Sequence, residues 1–376
     1  MIQRAVTTFL ADSLFKQKAV LLFGPRQVGK TTLVRAIVEQ MSVPFQWFSG
    51  DEPDIRQALS NVTSTRLKSL FGAEKLVVID EAQRVENIGL TLKLVTDNFP
   101  DVQVIATGSS AFELANQINE PLTGRKFEFY LYPFSFGELS QHNGLLFEKR
   151  LLENRLIFGA YPEVVNQPGR ERETLNLLAD SYLYKDLFAL EGLKRSSLFG
   201  KLLSALALQV GNEVSYTELA RLVGADKNTV ERYIDLLEQA FVVFRLPGFS
   251  RNLRTELRKA KKIYFYDNGI RNAILGNFQP LSGRTDVGAL WENYLMAERL
   301  KLFRYRGLYG GRYFWRTTQQ QEIDYLEDRD GQLRGYEFRW NPTAAVRFPR
   351  PFLETYPGSL TSVVTPDNYE TFLTDY

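Results

Sequence analysis

The sequence predicts an α/β fold built on a parallel sheet, and three apolar runs predict it. Ala19-Val20-Leu21-Leu22-Phe23 leads into Gly24-Pro25-Arg26-Gln27-Val28-Gly29-Lys30-Thr31-Thr32 and then into a helix-compatible stretch. Leu76-Val77-Val78-Ile79 ends in Asp80-Glu81-Ala82-Gln83. Val102-Gln103-Val104-Ile105-Ala106 ends in Thr107-Gly108-Ser109-Ser110. Short apolar runs suit strands covered on both faces, and polar groups at their ends suit a site along one sheet edge. The expected division is a first α/β domain over residues 1–140, a helical stretch over 141–197, a winged helix over 198–262 and a second α/β domain over 263–376.

The first run carries the most specific signal. A strand followed by G-x-x-x-x-G-K-T and a helix is a P-loop in its required context. Glycines let the backbone curl close to an anion, and the helix N-terminus adds favourable partial charge. Lys30 is expected to reach the β- and γ-phosphates of a nucleoside triphosphate, and the Thr31 hydroxyl to ligate its magnesium. Residues 24–32 are the expected cofactor-binding segment, for ATP with Mg.

The second run reads as a Walker B strand. Asp80 is expected to hold magnesium, and Glu81 to orient and polarise the attacking water. The third run places a hydroxyl near the γ-phosphate: Ser109 is the expected sensor, with Thr107 in reserve. A plain N-cap serine is the other reading. Arg125, in Leu122-Thr123-Gly124-Arg125-Lys126, is expected to act as an arginine finger at a neighbouring subunit's site, or else to form a surface ion pair.

Composition limits the alternatives. The chain has 376 residues and 44% hydrophobic content, enough for two or three packed domains. It has no cysteine and one histidine, His142, which excludes disulfides, thiolate zinc sites and imidazole clusters. The net charge of +2 means that contact with nucleic acid requires local basic patches. No apolar run reaches membrane-spanning length and no signal-peptide core opens the chain, so a cytoplasmic location without membrane attachment is expected.

The residues quoted so far, with Leu131-Tyr132-Pro133-Phe134-Ser135-Phe136-Gly137-Glu138-Leu139, together resemble the prokaryotic AAA-type ATPases that carry a C-terminal domain of unknown function. The resemblance covers nearly the whole chain and is most specific before residue 140. It implies an ASCE-type P-loop core, ATP as ligand and a homo-oligomer. In that family residues 141–200 correspond to a lid and connector, here helical stretches broken at Gly159-Ala160-Tyr161-Pro162.

Residues 198–248 predict a helix-turn-helix. Ser215 caps a short helix, Gly224-Ala225 turns, and Asp226 caps a longer helix with Val230, Ile234 and Leu237 on one face. Lys227, Asn228, Thr229 and Arg232 fall where a recognition helix contacts DNA. A basic loop with Arg251, Arg254, Arg258, Lys259, Lys261 and Lys262 suits a wing gripping phosphates. A packing module with solvated charges is the competing reading, and Glu231 and Asp235 support it.

The last domain pairs a helix around Glu292 with alternating strands carrying Asp324 and Glu337. This resembles the restriction-endonuclease-like fold, in which Glu292, Asp324 and Glu337 would form a second magnesium site. Arg339 stands where such nucleases carry a lysine, so the fold is expected without reliable nuclease activity. Three functions remain: an ATP-driven switch or motor on DNA, an ATP-controlled regulator whose winged helix binds DNA or protein, and an ATP-gated nuclease.

Overall fold

The computed structural model describes residues 2–109, 122–180, 196–249, 261–317 and 319–375. Ser110 and the basic residues Arg251, Arg254, Arg258 and Lys259 lie outside the described residues. The chain divides into two compact units. One runs to Phe134 and includes Gln239–Phe241; the other comprises Ser135–Glu238 and Val242–Tyr376.

The first unit holds β1 (Ala19–Phe23), β2 (Phe45–Ser49), β3 (Leu76–Asp80), β4 (Gln103–Gly108) and β5 (Lys126–Tyr130). They form one sheet in the order β2-β3-β4-β1-β5, with every neighbouring pair parallel. β1, β3 and β4 are buried along their whole length, as the apolar runs that make up most of β1 and β3 and the centre of β4 require. β4 lies between the P-loop strand β1 and the acidic strand β3, with Leu22 opposite Thr107. The helix Lys30–Gln40 begins directly after β1 and its loop, and buries Leu33, Val34, Ile37 and Val38.

The second unit starts with a capping box. The Ser135 hydroxyl accepts from the Glu138 N–H while the Glu138 carboxylate accepts from the Ser135 N–H. Short helices follow to residue 178, broken where Gly159 (φ +68°) ends one helix and Pro162 opens the next. The helices Tyr216–Val223 and Lys227–Gln239 are joined through Gly224, in the left-handed region. The Ser215 hydroxyl accepts from the Glu218 N–H, and Asp226 accepts from the Thr229 N–H at 2.9 Å. With them go β6 (Glu213–Val214), β7 (Val243–Pro247) and β8 (Lys261–Phe265), an antiparallel sheet in the order β6-β8-β7. β8 runs across the expected boundary between residues 262 and 263.

A second sheet contains β9 (Gly311–Arg316), β10 (Glu322–Arg329), β11 (Gln332–Phe338) and β12 (Leu360–Val364), in the order β12-β11-β10-β9. β9, β10 and β11 are antiparallel, and β12 adds parallel to β11. Buried asparagines tie this unit together. Asn268 and Asn272 donate to the Leu156 carbonyl at 3.2 and 3.1 Å, while Asn293 bonds both backbone groups of Phe265. A buried carbonyl left without any donor would cost about 1–3 kcal/mol. Among the described residues no helix is long and apolar enough to cross a membrane.

Candidate nucleotide site

The loop between β1 and the helix Lys30–Gln40 curls because its backbone adopts conformations that few side chains allow. Gln27 and Gly29 have φ of +60° and +92°. At Gly24 a Cβ would lie 2.0 Å from the Leu131 carbonyl oxygen, so no side chain fits. Pro25 and Val28 are buried, Arg26 is half-buried, and Gln27, Thr31 and Thr32 are exposed. Arg4 braces the loop from outside: its guanidinium donates to the Val28 carbonyl at 2.8 Å and to the Tyr132 carbonyl at 2.5 Å.

Lys30 is buried, and its ammonium donates to the Gly24 and Pro25 carbonyls at 2.8 and 2.9 Å. Burial lowers its pKa to about 8, against the opposing fields of Glu81 and Asp80. A cation held in a loop at the start of a helix is arranged to meet an anion.

Across from the loop, β3 ends at Asp80. Its Oδ2 accepts from the Thr31 hydroxyl at 2.9 Å, and its Oδ1 accepts from the buried Thr107 hydroxyl. Thr107 also accepts from the Glu81 N–H at 3.2 Å. The reserve sensor is therefore already engaged on both sides of the Asp80–Glu81 peptide. Thr31 and Asp80 supply a hydroxyl and a carboxylate oxygen, the donor chemistry that suits magnesium.

Glu81 sits in the left-handed region at φ +49°, an uncommon backbone for a residue other than glycine. Gly50 makes room for it: a Cβ there would lie 2.4 Å from the Glu81 carbonyl oxygen. The Glu81 Oε2 accepts from Ser109 at 3.1 Å and from the Gln83 amide at 2.6 Å. The structure thus brings Lys30, Thr31, Asp80, Glu81 and Ser109 to one end of the sheet.

Arg125 is placed elsewhere. Its carbonyl accepts from the Ala19 N–H at the opening end of β1, about 17 Å of strand from the P-loop. Its guanidinium pairs with Asp97 at 2.6 Å, both partners substantially exposed. It does not reach the nucleotide loop of its own chain.

The comparisons agree with this geometry. Residues 16–140 match the family described as AAA domain. The chain carries an AAA-type P-loop ATPase domain. Beyond the AAA domain, residues 149–281 and 287–372 match two domains of unknown function, DUF8612 and DUF4143. The chain is 28% identical over 358 residues to an uncharacterized protein of Mycobacterium tuberculosis, covering 92% of this chain and 75% of the relative. It is 26% identical over 332 residues to an uncharacterized protein of Methanocaldococcus jannaschii, covering 77% and 68%. A superposition on the Aeropyrum pernix ORC2 protein, solved as ADPNP-ADP complexes, covers 72% of this chain and 92% of that one. Its identity is 13% and its TM-score 0.40, too low to add to the strand order of the AAA domain.

The C-terminal carboxylates Glu292, Asp324 and Glu337 each meet a cation of the chain itself. Among the described residues no group of three or more Asp, Glu, His or Cys side chains is placed to hold a metal ion. The chain's own cations occupy Glu292, Asp324 and Glu337 instead. Lys262 pairs with Glu292 at 3.0 Å and Glu322 at 2.5 Å, and Tyr264 donates to Glu292 at 2.7 Å. Arg339 pairs with Asp324 at 3.3 Å and Glu337 at 2.6 Å. Burial, followed by the neighbouring Asp324, pushes Glu337 up to about 8. Burial also raises Glu292 and Asp324.

This corrects the reading of Lys262 as a wing residue facing DNA. It lies in β8 with its ammonium buried, and although burial opposes its charge, Glu292 and Glu322 hold its pKa above the usual value. Of the recognition-helix candidates, Lys227, Asn228 and Arg232 are exposed. The Thr229 hydroxyl is spent on the Asp226 carboxylate at 2.6 Å.

Sequence reasoning assigned no role to Arg4, Gly50 or Gln83. Gln83 had a local signal, since it stands two residues after Glu81. Arg4 had none, because its partners lie 24 and 128 residues away.

Proposed function

We propose that the protein binds Mg·ATP and hydrolyses it, using the cycle as a switch or motor that acts on DNA. The observation that carries the ATP reading is the 2.9 Å contact between Thr31 and Asp80, residues 49 apart in sequence, beside the buried Lys30. The loop amides and Lys30 bind the phosphate chain. Magnesium, held by Thr31 and Asp80, would neutralise charge on the β- and γ-phosphates. Glu81 accepts the proton of the attacking water, and Ser109 reports the γ-phosphate. Arg125 completes the site of the next subunit in a homo-oligomer. Catalysis of this kind rests on positioning and charge stabilisation.

The DNA reading rests on the second unit. A helix-turn-helix followed by β7 and β8 is the element order of a winged helix, and Lys227, Asn228 and Arg232 lie exposed at the start of its second helix. Arg251 and Arg254 fall between β7 and β8 in sequence, where the chain is rich in basic residues. Glu231, exposed on the same helix, supports a second reading: an ATP-controlled regulator whose winged helix docks on protein.

Phosphate release measured with no DNA, then with single-stranded, double-stranded and branched DNA, tests both parts. Lys30→Ala should lose ATP binding, and Glu81→Gln should bind without turnover. Unchanged ATP affinity in Lys30→Ala would refute the nucleotide site. Hydrolysis and binding indifferent to every DNA would favour the protein-docking reading.

A further inference from the structure

Gln83 is nearly buried, and its side chain joins the groups at the end of β3 and β4. Its amide nitrogen donates to the Glu81 Oε2 at 2.6 Å and to the Ser109 Oγ at 3.0 Å. The carboxylate fixes which way the amide faces, because the reversed orientation would set a carbonyl oxygen against a negative oxygen. The Gln83 Oε1 is then buried with no hydrogen-bond partner among the described residues. Buried acceptors in folded proteins almost always have a partner, and an exception calls for a ligand or a water. The bonds from Gln83 and Ser109 both end on the Oε2 of Glu81 and leave its Oε1 out of the cluster.

We propose that Gln83 is a further catalytic residue of ATP hydrolysis, its Oε1 accepting a hydrogen bond from the attacking water while its amide holds Glu81 in place. This rests on the hydrolytic reading above. Water has two hydrogens, and Glu81 with Gln83 offers two acceptors held together by a hydrogen bond. With both engaged, a lone pair of the water oxygen is left to face phosphorus. The water oxygen bonds to the γ-phosphorus as the bridging bond to the β-phosphate breaks. The bond pair leaves with ADP, and a water proton passes to Glu81. Gln83 transfers no proton and fixes only the direction of attack. The backbone supports the arrangement, because the left-handed turn at Glu81 starts the short helix Ala82–Arg84 that carries Gln83.

The test compares wild type, Gln83→Met, Gln83→Asn, Glu81→Gln and the Glu81→Gln/Gln83→Met double variant. ATP affinity, single-turnover rate and melting temperature are measured for each. Met matches the length of Gln without its polar atoms, and Asn keeps the amide but falls short. Both single variants at Gln83 should lose on the order of 10²-fold in turnover, the scale of a lost acid–base or water-orienting group. Their ATP affinity should stay within about twofold, and the double variant should turn over no slower than Glu81→Gln alone. Full turnover in Gln83→Met beside an active wild type would overturn the role of Gln83 alone. So would a loss confined to ATP affinity or melting temperature, or a double variant slower by the product of the single effects. A wild type that binds ATP and releases no phosphate would instead remove the hydrolytic reading, and this inference with it.

Discussion

The hydroxyl of Thr107 donates to Oδ1 of Asp80, on the opposite oxygen from the one that meets Thr31. Because Thr107 also accepts from the Glu81 N–H, one buried side chain sets both acidic residues at the end of β3. Thr107→Val keeps the shape and deletes the hydroxyl, leaving the half-buried Glu81 N–H without this acceptor and freeing Asp80 to turn. Losing a hydrogen bond to a charged group costs about 1.5–3 kcal/mol. Mg·ATP affinity should therefore fall by about tenfold or more, read by calorimetric titration with and without magnesium. Equal affinities would mean that Thr107 does not set the metal-side geometry.

Arg4 links the P-loop to the segment after β5, two places that the sequence separates widely. Arg4→Ala leaves the Val28 and Tyr132 carbonyls without this donor and should cost about 2–4 kcal/mol, seen in chemical denaturation. Lysine should not restore it, since one ammonium cannot reproduce a planar fork. Full stability in Arg4→Lys would show that charge alone suffices.

What could be read from the chain follows the physics of each strand. β1, β3 and β4 are covered on both faces, so each carries a visible apolar run, Val104-Ile105-Ala106 in β4. β2, with Phe45-Gln46-Trp47-Phe48-Ser49, and β5, with Lys126-Phe127-Glu128-Phe129-Tyr130, are the sheet's edges, half-buried and mixed in character. They have no such signature. The P-loop and the Asp80-Glu81 pair are local motifs and were legible. The bonds of Thr107, Arg4 and Gln83 depend on strand order and on tertiary contacts. Lys262 misled because it sits in a basic run, while its burial depends on Glu292 and Glu322 in distant elements.

Arg299 and Glu327 form a fork-to-fork pair at 2.7 and 3.1 Å, both side chains buried. Arg299 also donates to the Phe372 and Asp375 carbonyls, so it joins the long helix Val287–Arg306, β10 and the last helix, Tyr369–Thr374. Glu327→Gln leaves a buried guanidinium without its counter-ion and should destabilise the second unit by about 3–5 kcal/mol. Replacing both partners with apolar residues should recover part of that loss. Urea denaturation of the single and double variants checks both, and a single variant as stable as wild type would refute the role.

Asp286 precedes the helix Val287–Arg306. Burial alone would raise its pKa, but hydrogen bonds from Arg284 and Arg271 overcome this and lower it to about 2. A carboxylate depressed in the folded state contributes stability that is present above its unfolded pKa, near 3.8, and is lost as pH falls through the folded value. Asp286→Asn should therefore be less stable than wild type at pH 7. The difference should narrow between pH 4 and 2. A gap that stays constant across that window would mean that the charge of Asp286 is not what stabilises the turn.

Arg125 sits at the opening edge of the sheet, paired with Asp97 and remote from its own P-loop. An exposed pair of this kind contributes about 0–1 kcal/mol, so Arg125→Ala should fold and bind ATP normally. If Arg125 serves a neighbouring subunit, the variant should lose turnover by on the order of 10³-fold, the scale of an arginine finger supplied between molecules. Mixing then separates the two readings. Arg125→Ala subunits keep a sound P-loop, and Lys30→Ala subunits keep a sound Arg125. Neither hydrolyses ATP alone, while mixed assemblies contain interfaces with both parts intact and should regain a fraction of wild-type turnover. Normal turnover in Arg125→Ala, or no recovery in mixtures shown by mass to co-assemble, would reduce the residue to a surface ion pair.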